Sequence, residues 1–355
     1  MDYRYVIIGA GNGGQSLAGD MTLRGTKVSA IYDKSPVPIA SIRKSGGIKM
    51  SGPVVQGFAP IDHPTDSLED AMKAGNVFLV TIVANFHPQL AKEIAPYVTA
   101  EDTILLIPGN AGSSLMFRKA LAECGVTEMP LIGETLSLPY ATRLLGEAHA
   151  GIKARKLTLP LAALPASRND ELLAAIQPAI PEASLWSDSL SVGLNNLNPA
   201  SHVPYYLLNM GKVEAPTPAD SDFHAWNTQT TDRIATLYDE ERMTVMRKIG
   251  LTPMSYGEAM SKFYNNQHYT PIQQNETVSK NAVQVPDRFI DEDVPLNMIL
   301  VSEMGRKAGI PTPTADLLID LAILVREKDF RSTGTTMEKI GLHSLTPEAV
   351  KELIG

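Results

Sequence analysis

The run Tyr5-Val-Ile-Ile-Gly9-Ala-Gly11-Asn12-Gly13-Gly14 decides the fold of this chain. Its first four residues, three of them β-branched, read as a short buried strand. A helical stretch over residues 15–23 follows, stopped by Gly25. Gly9-x-Gly11-x-x-Gly14 therefore stands between a strand and a helix, the context that gives this spacing physical meaning. The first glycine permits a tight turn and the second lets the backbone approach a pyrophosphate. The third allows close helix–strand packing, and the helix N-terminus faces the phosphate charge. A second strand, residues 27–32, runs into Asp33, 19 residues after Gly14. A carboxylate there accepts hydrogen bonds from a ribose 2′-hydroxyl and repels a 2′-phosphate, which favours NAD. NADP stays open, because Lys34, Ser35 and Arg43 are at hand if Asp33 turns away and Tyr32 occupies the usual acidic position.

Strand and helix signals keep alternating beyond this point. Residues 67–74 and 88–98 read as helices, and residues 77–83, 103–107 and 131–135 as strands. Pro108-Gly-Asn-Ala-Gly112 is a loop, after which Ser113 or Ser114 caps a helix running to Cys124. Residues 152–159 read as one more strand, residues 160–168 as the passage out, and residues 169–176 as a helix. The order predicts an α/β Rossmann domain with a doubly wound parallel sheet over residues 1–183. Ligands bind such sheets at the carboxyl ends of the strands. Gly9, Gly11, Asn12, Gly13, Gly14 and Asp33 are thus expected on the dinucleotide. Ala84, Asn85, Pro108, Asn110, Glu134 and Thr135 are expected around its nicotinamide end.

From residue 184 onward helical signals dominate, predicting an all-helical domain over residues 184–355. A helix or a pair of helices is expected over 190–211, and helices at 223–249 and 255–263, from Asp293 or a neighbour to Gly309, at 313–326, and from Leu345 onward. The polar stretch 264–286 is too long to be idle in a compact domain and suggests a lid or substrate wall. Inside the first helical segment, Asn196-Leu-Asn198-Pro-Ala-Ser-His202 places two carboxamides and an imidazole among apolar residues. Asn198 and His202 are four apart and share a helix face, although Pro199 should break or kink the helix before Gly211 stops it. A core histidine satisfied by its neighbours competes with a catalytic one. Arg288-Phe-Ile-Asp-Glu-Asp293 carries the same ambiguity. Its acids suit a helix N-terminus, with Arg288 as their ion-pair partner. The sharper reading is a buried carboxylate orienting a histidine, with an arginine for a substrate carboxylate.

Composition narrows the class. The chain has 355 residues, 44% hydrophobic and 20% charged, enough for two cores. A net charge of −8 argues against nucleic-acid binding. The single cysteine rules out an intramolecular disulfide framework or a cysteine metal cluster and suits a reducing compartment. With no room for a signal peptide before Tyr5 and no bilayer-length apolar run, the expectation is a cytoplasmic enzyme without metal or membrane, with a homodimer left possible.

Taken together, these pieces resemble the octopine/nopaline, or opine, dehydrogenases, most of all the short bacterial type acting on N-(1-carboxyethyl) amino acids. The resemblance covers nearly the whole chain. It rests on the glycine run, Pro108-Gly-x-x-Gly112, Gly133-Glu134-Thr135, Asn196-x-Asn198-x-x-x-His202, Leu207-Leu-Asn209 and Arg288-x-x-x-Glu292-Asp293-Val. Ser302-Glu-Met-Gly305-Arg and Pro311-Thr-Pro313 extend it. It implies a helical second domain and a His202–Asp293 pair assisting reduction of an imine formed from an amino acid and a 2-oxo acid. It further implies Arg288 as carboxylate clamp, with NAD, or NADP, as hydride carrier. Asn198 and Tyr205 are candidate substrate contacts, as are Glu134 and Thr135. Tyr206, Trp226, Tyr264 and Gln267 join Tyr205 as candidate selectivity walls. The loop at Asn110 departs from the family's common form, and the acidic residue after the second strand is displaced by one.

Two rivals make different demands. A simple 2-oxo or hydroxy acid dehydrogenase of ketopantoate-reductase build would want a catalytic lysine, and none lies in a comparable helical context. A non-catalytic NAD(P) sensor would keep the glycine run but has no need of His202, Asp293 and Arg288 together.

Overall fold

The computed structural model describes residues 2–214, 227–264 and 287–355. Twelve strands are described: β1 (Tyr5–Ile8), β2 (Val28–Tyr32), β3 (Gly47–Ser51), β4 (Gly57–Pro60), β5 (Pro64–Thr65), β6 (Val77–Val80), β7 (Thr103–Leu106), β8 (Leu131–Thr135), β9 (Tyr140–Gly146), β10 (His149–Arg155), β11 (Leu159–Leu164) and β12 (Ala183–Leu185). Eight form one sheet in the order β12-β11-β8-β7-β6-β1-β2-β5, parallel except where β11 runs against β8. Order reverses around β1, which lies between β2 and β6, so the glycine run sits at a topological switch point. The inner strands β1, β6, β7 and β8 are buried end to end, which is why they read as unbroken apolar runs.

Helices α1 (Asn12–Leu23), α2 (Pro36–Ser45), α3 (Leu68–Ala74), α4 (His87–Ile94), α5 (Ser113–Glu123) and α6 (Asn169–Ile176) accompany the sheets. The other four strands make a second sheet, β4-β3-β10-β9, that the sequence reading did not anticipate. It packs on the far side of α1. Buried Asp20 of α1 accepts from Tyr140 at 2.7 Å and from Arg24 at 2.9 Å, and also pairs with Arg155.

Three expectations here need correction. The strand expected over residues 152–159 is two strands in two sheets, divided by Lys156 to Thr158. The Lys156 N–H turns instead to Pro139, and the Leu157 N–H to Phe263. Residues 160–164, read as a way out, lie inside β11, where the Pro160 carbonyl still accepts from Leu136. Neither Ser113 nor Ser114 caps α5. Its N-cap is Gly112 at φ +76°, and the Ser113 hydroxyl accepts from the Asn110 N–H.

Beyond β12 the described elements are helical. They are α7 (Ser189–Leu194), α8 (Asn198–Leu208), α9 (Met210–Val213), α10 (Gln229–Lys248), α11 (Tyr256–Tyr264), α12 (Arg288–Asp291), α13 (Ile299–Ala308), α14 (Pro313–Arg326), α15 (Phe330–Thr333) and α16 (Pro347–Ile354). The break expected near Pro199 falls just before it, between α7 and α8, and Pro199 opens α8, where its missing N–H would have had no partner. Gly211 stops nothing, being interior to α9. The helix expected to start at Asp293 or a neighbour does so: Asp293 is the N-cap of a wide π turn over Val294–Met298, which Pro295, lacking an N–H, helps open and which leads into α13. The short α12 before it was not expected. The start of the helix expected at 223, most of the loop expected over 264–286, and the wall residues Trp226 and Gln267 lie outside the described residues.

Candidate active site

The glycine run builds a surface on which little but backbone is presented. Gly9 is at φ +104°, a conformation side-chain-bearing residues rarely adopt, and a Cβ on Gly14 would fall 1.8 Å from the Gly9 carbonyl. Gly11 is the opposite case. It is exposed, it is the N-cap of α1, and a Cβ there would meet nothing within 4 Å. An open backbone edge at the start of a twelve-residue helix is what a dinucleotide pyrophosphate requires. Asp33 stands beside it, accepting from the Ala10 N–H at 2.7 Å and the Ser35 N–H at 2.8 Å. The residues that competed with it are engaged elsewhere: Lys34 with Glu93, and Arg43 with Asp66. Asn12 departs from expectation, because its side-chain amide donates to the Thr142 carbonyl in β9 at 2.8 Å. At the helix start its backbone, not its side chain, is what remains open to a ligand.

The helical half brings His202 and Asp293 together. Nδ1 of His202, on α8, lies 2.7 Å from Oδ2 of Asp293. A carboxylate accepts, so Nδ1 carries the hydrogen and Nε2 is left to work. Asp293 is 4% exposed, while the His202 side chain keeps 18% of its surface open. The imidazole also lies flat on the Phe289 ring, with centroids 3.7 Å apart and planes 8° apart.

Arg288 sits one residue before Phe289, 59% exposed, with NH1 4.0 Å from a Glu292 carboxylate oxygen. Of the ion-pair alternatives, Glu292 at 4.0 Å stands, while Asp291 is already held by Arg326 at 3.0 Å and Lys328 at 2.8 Å. Glu292 is mostly buried; burial first and neighbouring Asp293 second push its carboxyl up to about 7, against the pull of Arg288 and the Ala84 backbone N–H. This segment touches the nucleotide half directly, where the Asn85 side-chain amide donates to the Asp291 carbonyl at 3.3 Å. The loop after β6 and the acid–base pair are therefore neighbours.

Other expected site residues point away from this face. Glu134 and Thr135 have no exposed surface, so neither touches a ligand in this arrangement. Glu134 accepts from the Ser114 N–H at 2.8 Å, and burial pushes its carboxyl up to about 8. Asn110 is 1% exposed, its side-chain amide oxygen accepting from the Ala111 N–H. Pro108 is half-buried, and Ala84 is buried. The Tyr205 hydroxyl reaches Asp232 at 2.8 Å and that of Tyr206 reaches Asp287 at 2.9 Å, both staples to other helices. Asn198, half-buried, starts α8 one turn before His202, as its spacing required.

What sequence reasoning missed is the support. Arg242, wholly buried in α10, grips Asp239 and donates to the carbonyls of Leu194 and Met254 and to the Asn195 amide oxygen. It thereby fixes the α7–α8 junction from which His202 projects. A charged residue in a helix with an aspartate three positions earlier was the available signal. Among the described residues no group of three or more His, Cys, Asp or Glu side chains is placed to hold a metal.

A dinucleotide cradle facing a histidine–carboxylate pair and an exposed arginine defines a nicotinamide-dependent oxidoreductase. Residues 186–325 match the family described as NAD/NADP octopine/nopaline dehydrogenase, alpha-helical domain. The chain is similar to the opine dehydrogenase of Arthrobacter sp. (strain 1C), 31% identical with 99% of this chain and 98% of that one covered. It is also similar to Protein ocs of Agrobacterium tumefaciens (strain Ach5), 25% identical with 98% of each covered. A solved octopine dehydrogenase, in complex with NADH and agmatine, shares the fold at a TM-score of 0.77 and 19% identity over 98% of each chain. The chain belongs to the octopine/nopaline (opine) dehydrogenase family, and is an NAD(P)-dependent oxidoreductase acting on CH–NH groups. Among the described residues no helix is long and apolar enough to cross a membrane.

Proposed function

We propose that residues 1–183 hold the dinucleotide and residues 184–355 hold the acid–base and substrate groups of a reductive condensation. In that reaction an amino acid and a 2-oxo acid join as an imine, which is reduced to a secondary-amine dicarboxylate. The Gly11 edge would hold the dinucleotide through its pyrophosphate, and the reduced nicotinamide would supply the hydride. His202 exchanges protons at Nε2 with the oxo group and the nitrogen, while Asp293 fixes its tautomer and stabilises the imidazolium. Arg288 grips the oxo-acid carboxylate through its guanidinium fork. Asn198, on the His202 face of α8, is the remaining substrate contact. Gly9, Gly13 and Gly14 shape the cradle, and Asp33 selects NAD over NADP through the ribose. The backbone at Ala84 and Pro108, on the loops after β6 and β7, is our candidate for the nicotinamide end, although Ala84 is itself buried. The enzyme acts on small molecules, in the cytoplasm, where an exposed free Cys124 stays reduced; a homodimer is allowed.

The observation carrying this reading is the 2.7 Å contact between His202 and Asp293, five residues after a loosely held arginine on α12 and beside a nucleotide loop. Loss of NADH absorbance tests it, with oxo acid alone, amino acid alone, and both together. An opine dehydrogenase oxidises NADH only with both; oxidation with oxo acid alone would indicate the simple dehydrogenase instead.

A further inference from the structure

The hydrogen bond from His202 to Asp293 fixes one ring atom. A single in-plane contact leaves the imidazole free to rock about the Nδ1 anchor, which swings Nε2 through an arc. The Phe289 ring removes that freedom. It covers one whole face of the imidazole, with centroids 3.7 Å apart and planes within 8° of parallel. It also belongs to the turn that carries Arg288 and leads into Asp293, so the stack is delivered by the segment that supplies the other site groups. The Arg288 guanidinium carbon lies 5.8 Å from the same ring centroid. One aromatic ring thus touches the acid–base group and neighbours the cation.

We propose that Phe289 is a positioning residue for the reaction, holding the plane of His202 so that Nε2 points at the reacting nitrogen and oxygen. It exchanges no proton itself and acts through His202. The proposal rests on the acid–base role given to His202 above. Replacing the ring by Leu keeps an apolar group but loses the flat face. Small misplacements of a reacting group are expensive in rate, so the effect falls on turnover more than on binding.

The test compares wild type, Phe289→Leu, Phe289→Tyr, His202→Asn and the double variant Phe289→Leu/His202→Asn. Each is measured for kcat, NADH Kd and thermal midpoint. Phe289→Leu is expected to lower kcat by roughly 10–10²-fold with NADH Kd unchanged. Phe289→Tyr, which keeps a flat ring, should recover most of that loss. In the His202→Asn background the Leu substitution should have no further effect, because nothing is left to aim. Phe289→Met supplies a second removal of the flat face should the Leu variant fold poorly. Wild-type kcat in either flat-face deletion, or an undiminished loss in the His202→Asn background, overturns the proposal. Wild-type turnover by His202→Asn would instead overturn the acid–base reading, an outcome separable from the other two.

Discussion

His202 and Asp293 stand 91 residues apart in the chain, and their side chains meet at 2.7 Å. The contact joins α8 to the second residue past α12 and gives the imidazole a defined tautomer. Removing the ring by His202→Ala should lower kcat by roughly 10²–10⁴-fold, with NADH affinity unchanged because the glycine run is untouched. Asp293→Asn should also be slow, since an amide can present its N–H to Nδ1 and invert the tautomer. Steady-state kinetics beside NADH titration decide this; full turnover by His202→Ala would return the histidine to a structural role.

Arg288→Lys separates a substrate clamp from a surface ion pair. The Lys keeps the charge but loses the fork, worth about 1.5–3 kcal/mol for each charged hydrogen bond lost. Oxo-acid KM should therefore rise by about tenfold or more, with amino-acid KM less affected. Thermal stability should hardly move, because the side chain is 59% exposed and its Glu292 contact is 4.0 Å long. An unchanged oxo-acid KM at saturating amino acid removes Arg288 from the site.

Asp33 makes two separable contributions. On the proposed reading its carboxylate discriminates at the ribose, and it also accepts from the Ala10 N–H within the glycine run. Asp33→Ala should thus raise KM for both cofactors, and raise it more for NADH than for NADPH. The ratio of the two kcat/KM values is the measurement, and a wild-type preference for NADPH contradicts the assignment.

Glu134 makes stability depend on pH. Its carboxyl stands near 4.5 when unfolded and is pushed up to about 8 by burial, so the folded state binds the proton more tightly. Its stabilising contribution is complete below about pH 4.5 and is lost as pH rises through about 8. Glu134→Gln, nearly isosteric and never charged, should flatten that decline in the thermal midpoint between about pH 5 and pH 8. A Gln variant as steep as wild type would place the pH dependence elsewhere.

Arg242 predicts a different kind of loss. Arg242→Ala leaves Asp239 buried without its cation and should destabilise by about 3–5 kcal/mol, read as a lower denaturant midpoint. A midpoint close to wild type would show that the α7–α8 junction holds without it.

The nucleotide half was legible wherever one local pattern decided the outcome. A buried parallel strand reads as an apolar run, and Gly9, Gly11 and Gly14 are diagnostic once flanked by strand and helix. The second sheet was not legible. Its β3 interrupts apolar residues with Gly47 and exposed Lys49, its β4 contains Phe58 on the surface, and β9 is mostly half-exposed. The site divides the same way. His202, Asp293 and Arg288 were found as residue types in suggestive company and through the family resemblance. Phe289 was passed over, because stacking leaves no periodic trace, and the Glu134 and Asn110 side chains turn inward on contacts that no spacing reveals.

That second sheet also has a consequence for synthesis. In the parallel pairing of β3 with β10, Lys49 is matched with His149, a hundred residues further on. At ribosomal speeds of about 5–20 residues per second, β3 waits roughly 5–20 s for its neighbour to be made. It can zip with β4 at once, but its other edge stays an open template, and α1 has only half its platform. The nascent cradle is therefore most exposed to wrong partners during that interval, before the first helical residues of the other half have left the ribosome.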